Sequence, residues 1–292
     1  MSRMKSKKRE LKRQLTNMDL ERAEYAYVKC IVNRLSDGSK FTKRPVAANS
    51  PFYRVRSNPC KKPLEVKDLR EPPKADVKGF QRCNGPGQPR FYSSNRILTA
   101  ALEAKVSDGD TVYLSRWFTK RDIECATSVL SDVQGKVRHL MAEPDKKLIE
   151  YFESEFTRRI HKTFSGQYKL TAAISEVLTA LNCSNTGDEN QASAQRPLGI
   201  AFKSVVDLEG GINFSFHPSL IDEFFLLKDI IEAKVLRRND KELDLEVLGY
   251  SDTVSDEKID WATGCKPVPF LDFSNGGSVR YDGITWIRSS SD

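Results

Sequence analysis

The sequence predicts an α+β fold. Strand-like segments gather toward both ends of the body of the chain, with helical periodicities between them. One stretch, residues 90–115, reads sharply as strand, helix, strand. The chain is polar, with 39 % hydrophobic and 30 % charged residues over 292 positions. Its 15 Phe, 9 Tyr and 3 Trp nevertheless supply the bulk of a packed core, which argues against wholesale disorder.

The elements follow in order. Residues 15–35 carry Leu20, Ala23, Tyr27, Cys30 and Ile31 near 3- and 4-residue steps, predicting a helix with Asn17 and Asp19 as caps. Residues 36–78 are rich in Pro, Lys and Ser and read as a connection, with one short strand at 52–55. A strand is expected at 90–92. Ser93 or Ser94 then caps a helix over 96–105, in which Ile97, Ala100, Ala101 and Ala104 share a face. The turn Asp108-Gly109-Asp110 leads to a strand at 111–115. Helices are expected at 119–134, 145–161 and 167–181, and a polar loop at 182–195. Strands follow at 198–204 and 212–216, then a helix over 218–231. Two hairpins, 234–236 with 243–250 and 279–281 with 285–287, complete the pattern. Residues 1–50 are assigned to a basic tail with a helical extension, and residues 51–292 to one domain.

The net charge of +7 suggests a nucleic-acid binder at first sight. Its distribution argues otherwise. Arg3, Lys5, Lys7, Lys8, Arg9, Lys12 and Arg13 against Glu10 give the first fourteen residues +6, leaving +1 for the other 278. Such a block is expected to be solvated and mobile, so nucleic acid is not the expected partner. No apolar run approaches the roughly 20 residues of a membrane span, and no apolar stretch follows the basic start as in a secretory signal. The six cysteines (Cys30, Cys60, Cys83, Cys125, Cys183, Cys265) form no close pair, and His139, His161 and His217 are isolated. No metal site is expected on that spacing. Reduced cysteines fit a cytoplasmic setting.

Three segments combine residues suited to chemistry. In Phe52-Tyr53-Arg54-Val55-Arg56, alternation puts Arg54 and Arg56 on one face of a strand. In Arg82-Cys83-Asn84-Gly85-Pro86-Gly87, glycines permit tight turns beside an arginine able to grip a phosphate. From there the chain runs through Tyr92, an aromatic able to stack on a flat ring, to Glu103. In Gly199-Ile200-Ala201-Phe202-Lys203-Ser204, a serine ends an apolar strand, where its hydroxyl needs a partner. Gly210-Gly211-Ile212-Asn213 follows. Taken singly, the first two segments read more readily as an edge strand and an ordinary turn, and the third also reads as a strand-terminal serine bonded to neighbouring backbone.

In order, these segments resemble the RES domain family, named for its arginine, glutamate and serine. The resemblance spans about residues 50–250. It includes Phe91-Tyr92-Ser93-Ser94, Thr99-Ala100-Ala101-Leu102-Glu103, Tyr168-Lys169-Leu170-Thr171, the serine strand, Gly-Gly-x-Asn and Phe216-x-Pro218. It departs from the family at Lys203, where proline is usual. The resemblance implies an ADP-ribosyltransferase-like fold with a mixed β core. It also implies NAD as substrate, with no permanently bound cofactor, and inorganic phosphate as a candidate co-substrate. It further implies a bacterial toxin with an Xre-type antitoxin as partner, and leaves a homo-oligomer open.

On that basis Glu103 would stabilise oxocarbenium character on the ribose, and Arg82 with Arg54 would hold the pyrophosphate. Tyr92 would stack on nicotinamide, and Tyr113 would line the pocket. Ser204 would hydrogen-bond the nicotinamide ribose or carboxamide, and Asn213 is assigned to NAD binding. Lys203 either helps hold a phosphate or points outward. Competing expectations are ADP-ribosylation of a macromolecule, nucleic-acid binding through the basic tail, and a decayed scaffold without turnover.

Overall fold

Alternating burial organises much of the chain into a single sheet. The computed structural model describes residues 2–59, 61–129, 141–180, 196–255, 257–261, 278–281 and 286–288. Its helices are α1 (Ser2–Thr16), α2 (Tyr25–Ser36), α3 (Ile97–Glu103), α4 (Glu143–Phe156), α5 (Lys169–Ala180) and the single turn α6 (Ile221–Phe224). The strands are β1 (Lys43–Val46), β2 (Pro51–Ser57), β3 (Phe91–Ser94), β4 (Thr111–Thr119), β5 (Ile123–Thr127), β6 (Gly199–Lys203) and β7 (Ile212–Phe216). They continue with β8 (Phe225–Arg238), β9 (Leu243–Ser251), β10 (Thr253–Ser255), β11 (Lys258–Asp260), β12 (Ser278–Tyr281) and β13 (Trp286–Arg288).

Eleven strands pair in the order β1-β5-β6-β7-β3-β2-β4-β8-β9-β12-β13, and β10 pairs with β11 apart from them. Every pairing in the large sheet is antiparallel except β5 with β6. The fold is therefore α+β, as the sequence predicts. One joint is unlike the rest. Strand β2 pairs with β4 along all of Pro51–Ser57, and β3 with β7 along all of Phe91–Ser94. Yet β2 meets β3 only at Tyr53 and Ser94. The sheet thus has two halves joined at a narrow seam.

The core divides by face. Phe52, Phe91, Trp117, Phe214, Phe216 and Phe225 form an aromatic cluster on one face, with edge-to-face contacts such as Phe52 on Phe214 at 4.8 Å between centroids. On the other face, helices α1, α2, α4 and α5 cover β5 and β6 through Val28, Ile31, Phe152, Ile174 and Phe202. Helix α3 covers β4, β8 and β9 through Leu98, Ala101, Leu102, Leu114, Ile231 and Leu245. Among the described residues no helix is long and apolar enough to cross a membrane.

Four expectations are corrected. The basic segment is helical rather than a mobile tail: α1 is amphipathic, and Leu11 and Leu15 enter the core shared with α4 and α5. Helix α2 enters the same core through Val28, Ile31, Val32 and Leu35, and β1 is an edge strand of the main sheet. The helix expected over 15–35 is two helices, because the chain turns at 17–24, where Asp19 Oδ1 accepts the Glu21 amide at 3.1 Å. Strand β5 lies within the helix expected at 119–134, whose residues 130–134 lie outside the described residues. Its Ile123, Cys125, Ala126 and Thr127 are buried between β1 and β6, and a short apolar run does not by itself distinguish strand from helix. The helix expected over 218–231 stops after Phe224, because Phe225 and Leu227 alternate inward along β8 with Leu226 outward. The polar loop expected at 182–195 lies outside the described residues.

Leu15 is only 2 % exposed. Leu15→Ala is therefore expected to lower unfolding stability by about 2–4 kcal/mol, read from urea denaturation. An unchanged midpoint would mean that α1 does not pack on the body.

Candidate functional site

A cavity of about 720 Å³ opens on the helical face beside the seam, within the size range of small-molecule sites. Its wall includes Arg54, Arg82, Tyr92, Glu103 and Asn213, five of the seven residues singled out from the sequence. Ser204 lies directly behind Glu103, and Tyr113 lies elsewhere.

Glu103 is the last residue of α3, which is held against the sheet by Ile97, Leu98, Ala101 and Leu102. The helix ends there in a Schellman-type reversal, with Lys105 N bonded to Leu102 O and Val106 N to Ala101 O. Glu103 Oε1 accepts from Ser204 Oγ at 2.7 Å and from Asn213 Nδ2 at 2.5 Å. Oε2 has no hydrogen-bond partner among the described residues. Asn213 is oriented from its other end, where Oδ1 accepts from Ser94 Oγ at 2.6 Å. Since a carboxylate only accepts, the Asn213 amide hydrogens must face Glu103.

Ser204 is fixed in the same way. Its Oγ accepts from the amides of Val206 and Asp207 at 3.2 and 3.1 Å, so its single proton goes to Glu103. Behind it, the buried Asp207 accepts from Thr99 Oγ1 at 2.5 Å and from Arg96 Nη1 at 3.0 Å. The loop closes with Ser204 N on Gly211 O at 2.8 Å. A Cβ on Gly211 would lie 2.7 Å from Asp207 Cβ, so this turn requires glycine. Arg96 and Asp207 were not singled out from the sequence. The available signals are Thr99, one helical turn before Glu103 on the same face, and Asp207, three residues after Ser204, the spacing of a serine-closed turn.

Tyr92 stands in the cavity wall, its ring fixed by its hydroxyl, which donates to Asn84 Oδ1 at 2.6 Å and accepts from Cys83 N at 2.9 Å. Burial pushes this phenol well above its ordinary pKa, so it remains neutral. Burial likewise raises the Cys83 thiol to about 11, which keeps it from acting as a thiolate. Arg82 donates to Phe156 O at 2.5 Å and to Arg158 O at 3.2 Å, at the C-terminal end of α4, where carbonyls favour a cation. Its guanidinium lies 5.4 Å from the Tyr168 ring centroid. These carbonyls hold the cation without neutralising it.

Two assignments change. Arg54 borders the cavity, but strand alternation turns its side chain to the face opposite Tyr53. There its guanidinium donates to Leu69 O at 3.1 Å, Tyr92 O at 2.6 Å and Arg70 O at 2.9 Å, and burial lowers its pKa to about 10. It is built as a clamp joining β2, β3 and the 69–70 segment, not as Arg82's companion. Tyr113 faces away for the same reason: its neighbours Val112 and Leu114 pack under α3. Its hydroxyl donates to Glu232 at 2.8 Å, and its ring meets Trp261 edge-on. Lys203 pairs with Glu153 and is not part of the cavity wall. Ser93 and Ser94 belong to β3, and no side chain caps α3.

Besides Arg54, whose guanidinium is directed to the other face, the wall carries Arg82, Lys105, Arg159 and Arg238 against Glu103 and Asp240. The cavity is thus cationic with one deliberately held carboxylate, an arrangement suited to an anionic ligand with one electron-poor centre. No protein-family model matches the chain. No curated protein matches it either. Among the described residues, no group of three or more His, Cys, Asp or Glu is placed to hold a metal ion. Neither His161 nor His217 lines the cavity.

Proposed function

We propose that this chain consumes NAD, cleaving the bond between nicotinamide and ribose by transfer of ADP-ribose to phosphate or water. The resemblance to RES domains suggests the substrate. The observation that carries the reading is Glu103, with one oxygen bound by Ser204 and Asn213 and the other unpartnered in a cationic cavity.

The chemistry needs few groups. As the bond from ribose C1′ to the pyridinium nitrogen breaks, its electron pair returns to the ring, and nicotinamide leaves neutral. No acid is required to protonate the leaving group. Positive charge develops instead on the ribose, where a fixed carboxylate stabilises it. A phosphate oxygen then bonds to C1′, giving nicotinamide and ADP-ribose 1-phosphate. With water as acceptor, Glu103 Oε2 would receive the displaced proton. Ser204 and Asn213 are positioning residues, holding Oε1 so that Oε2 has one orientation. Arg82 supplies charge for the NAD phosphates, and Tyr92 an aromatic wall for the nicotinamide ring. In this reading the chain is a cytoplasmic toxin, with an antitoxin of Xre type as its partner.

The test incubates purified protein with labelled NAD, with and without inorganic phosphate. Rapid nicotinamide release with ADP-ribose 1-phosphate, dependent on phosphate, is the expected result. Hydrolysis would yield ADP-ribose in both arms. Label on protein or nucleic acid would point to a transferase, and undiminished NAD in both arms would overturn the reading.

A further inference from the structure

Two anomalies meet on the rim of the cavity just beyond Glu103. Lys105 has φ of 56°, a left-handed conformation at a helix end where glycine is the usual residue. Its side chain lines the cavity, and among the described residues it has no ion pair or side-chain hydrogen bond. Arg238, the last residue of β8, also lines the cavity, and its Nε is buried without a hydrogen-bond partner. A buried unpaired donor costs stability, and in a native protein its retention calls for a reason.

The backbone brings these two residues to one place. Arg238 N donates to Asp108 Oδ1 at 2.8 Å. Gly109 N bonds to Val235 O, and Val235 N to Asp110 O, each at 2.8 Å. The turn after α3 is thus stitched to the end of β8. Asp240 shares this wall but forms no ion pair with either cation among the described residues. One ligand class would pair both side chains, the Lys105 ammonium and the Arg238 Nε. We infer that Lys105 and Arg238 form an oxyanion subsite that takes a phosphate group. The site is separate from Arg82, which is already tethered to carbonyls at the end of α4. The inference deepens the NAD reading and rests on it for biological meaning. There the bound group is either the incoming inorganic phosphate, next to the carboxylate where it would react, or a phosphate of NAD itself.

Binding titrations on the full chain separate these sources and need no turnover. Inorganic phosphate and ADP-ribose are the two probes, titrated calorimetrically into the wild type, Lys105→Gly, Lys105→Arg and Arg238→Gln. For at least one probe, both charge-removing variants are expected to weaken binding by about tenfold or more, with Lys105→Arg within about threefold of wild type. The probe that loses affinity identifies the source. Melting is the internal control. Lys105→Gly relieves a left-handed lysine, so its melting temperature is expected to match or exceed the wild type by up to about 2 °C. A lysine serving only the helix end would give that stability result with unchanged binding, which would overturn the inference. Failure of the wild type to bind either probe would also overturn it. A wild type that binds phosphate but leaves NAD intact would sink the NAD reading and leave the subsite standing.

Discussion

Glu103→Gln is expected to reduce NAD consumption by about 10³-fold or more while leaving the protein folded. Glutamine preserves the shape, and its carbonyl still accepts from Ser204 Oγ and Asn213 Nδ2, which now hold Glu103 Oε1 at 2.7 and 2.5 Å. What disappears is the negative charge. If the carboxylate stabilises a cationic ribose in the transition state, the loss falls mainly on kcat and much less on NAD binding. Circular dichroism and thermal melting establish the fold, and nicotinamide release gives the rate. A folded variant that keeps near-full activity would remove Glu103 from the chemistry.

Asp229→Ala is expected to destabilise the protein by about 3–5 kcal/mol. Asp229 and Arg116 are 4 % and 8 % exposed and face each other on β8 and β4. The Asp229 oxygens accept from Arg116 Nε at 3.0 and 3.1 Å. Burial is the largest influence on the Asp229 carboxyl, and it raises the pKa even with Arg116 alongside. Removing the carboxylate takes from the buried Arg116 guanidinium the bidentate partner it meets across the strand pair. Removing both charges with Arg116→Met and Asp229→Leu together is expected to cost far less, because both members of the buried pair leave at once. Urea denaturation of the single and double variants provides the measurement. A single variant within about 1 kcal/mol of wild type would show that water or another group readily takes the place of Asp229. The pair has a bearing on the site, since Arg116 lies opposite Tyr53 in register, and Tyr53 lines the cavity.

The legible part of the site lies on regular elements. The apolar stripe of α3 fixes which face is inward, and Glu103 comes one turn after Thr99 at its end. Ser204 and Asn213 sit at a strand end and on a paired strand whose burial shows in their apolar neighbours. Arg54 marks where that legibility stops. Alternation tells that Arg54 and Arg56 share a face, but not which face holds the cavity. Tyr113 fails for the same reason, one residue from side chains that pack under α3. The pairing of Asp207 with Arg96 joins residues more than a hundred positions apart, and no local pattern encodes it. Misread helices have another cause. Phe225 and Leu227 are inward because a neighbouring strand and an aromatic cluster are present, a tertiary choice that overrides a short ambiguous run. Likewise, the charge of residues 1–14 hides Leu11, which enters the core together with Leu15.

The seam between β2 and β3 bears on how the molecule is made. Strand β1 belongs to one half of the sheet, β2 to the other, β3 to the first again, β4 to the second, β5 to β7 to the first, and β8, β9, β12 and β13 to the second. The chain is woven back and forth across its own midline, so neither half is a continuous stretch able to fold independently. Most of its pairings join distant segments, a topology that folds slowly. During synthesis the cavity wall also completes late: Glu103 emerges well before Ser204 and Asn213, and Arg238 follows at the end of β8. A nascent or truncated chain lacking these later strands has the carboxylate without its supports, and so carries no assembled site until nearly the whole weave has closed.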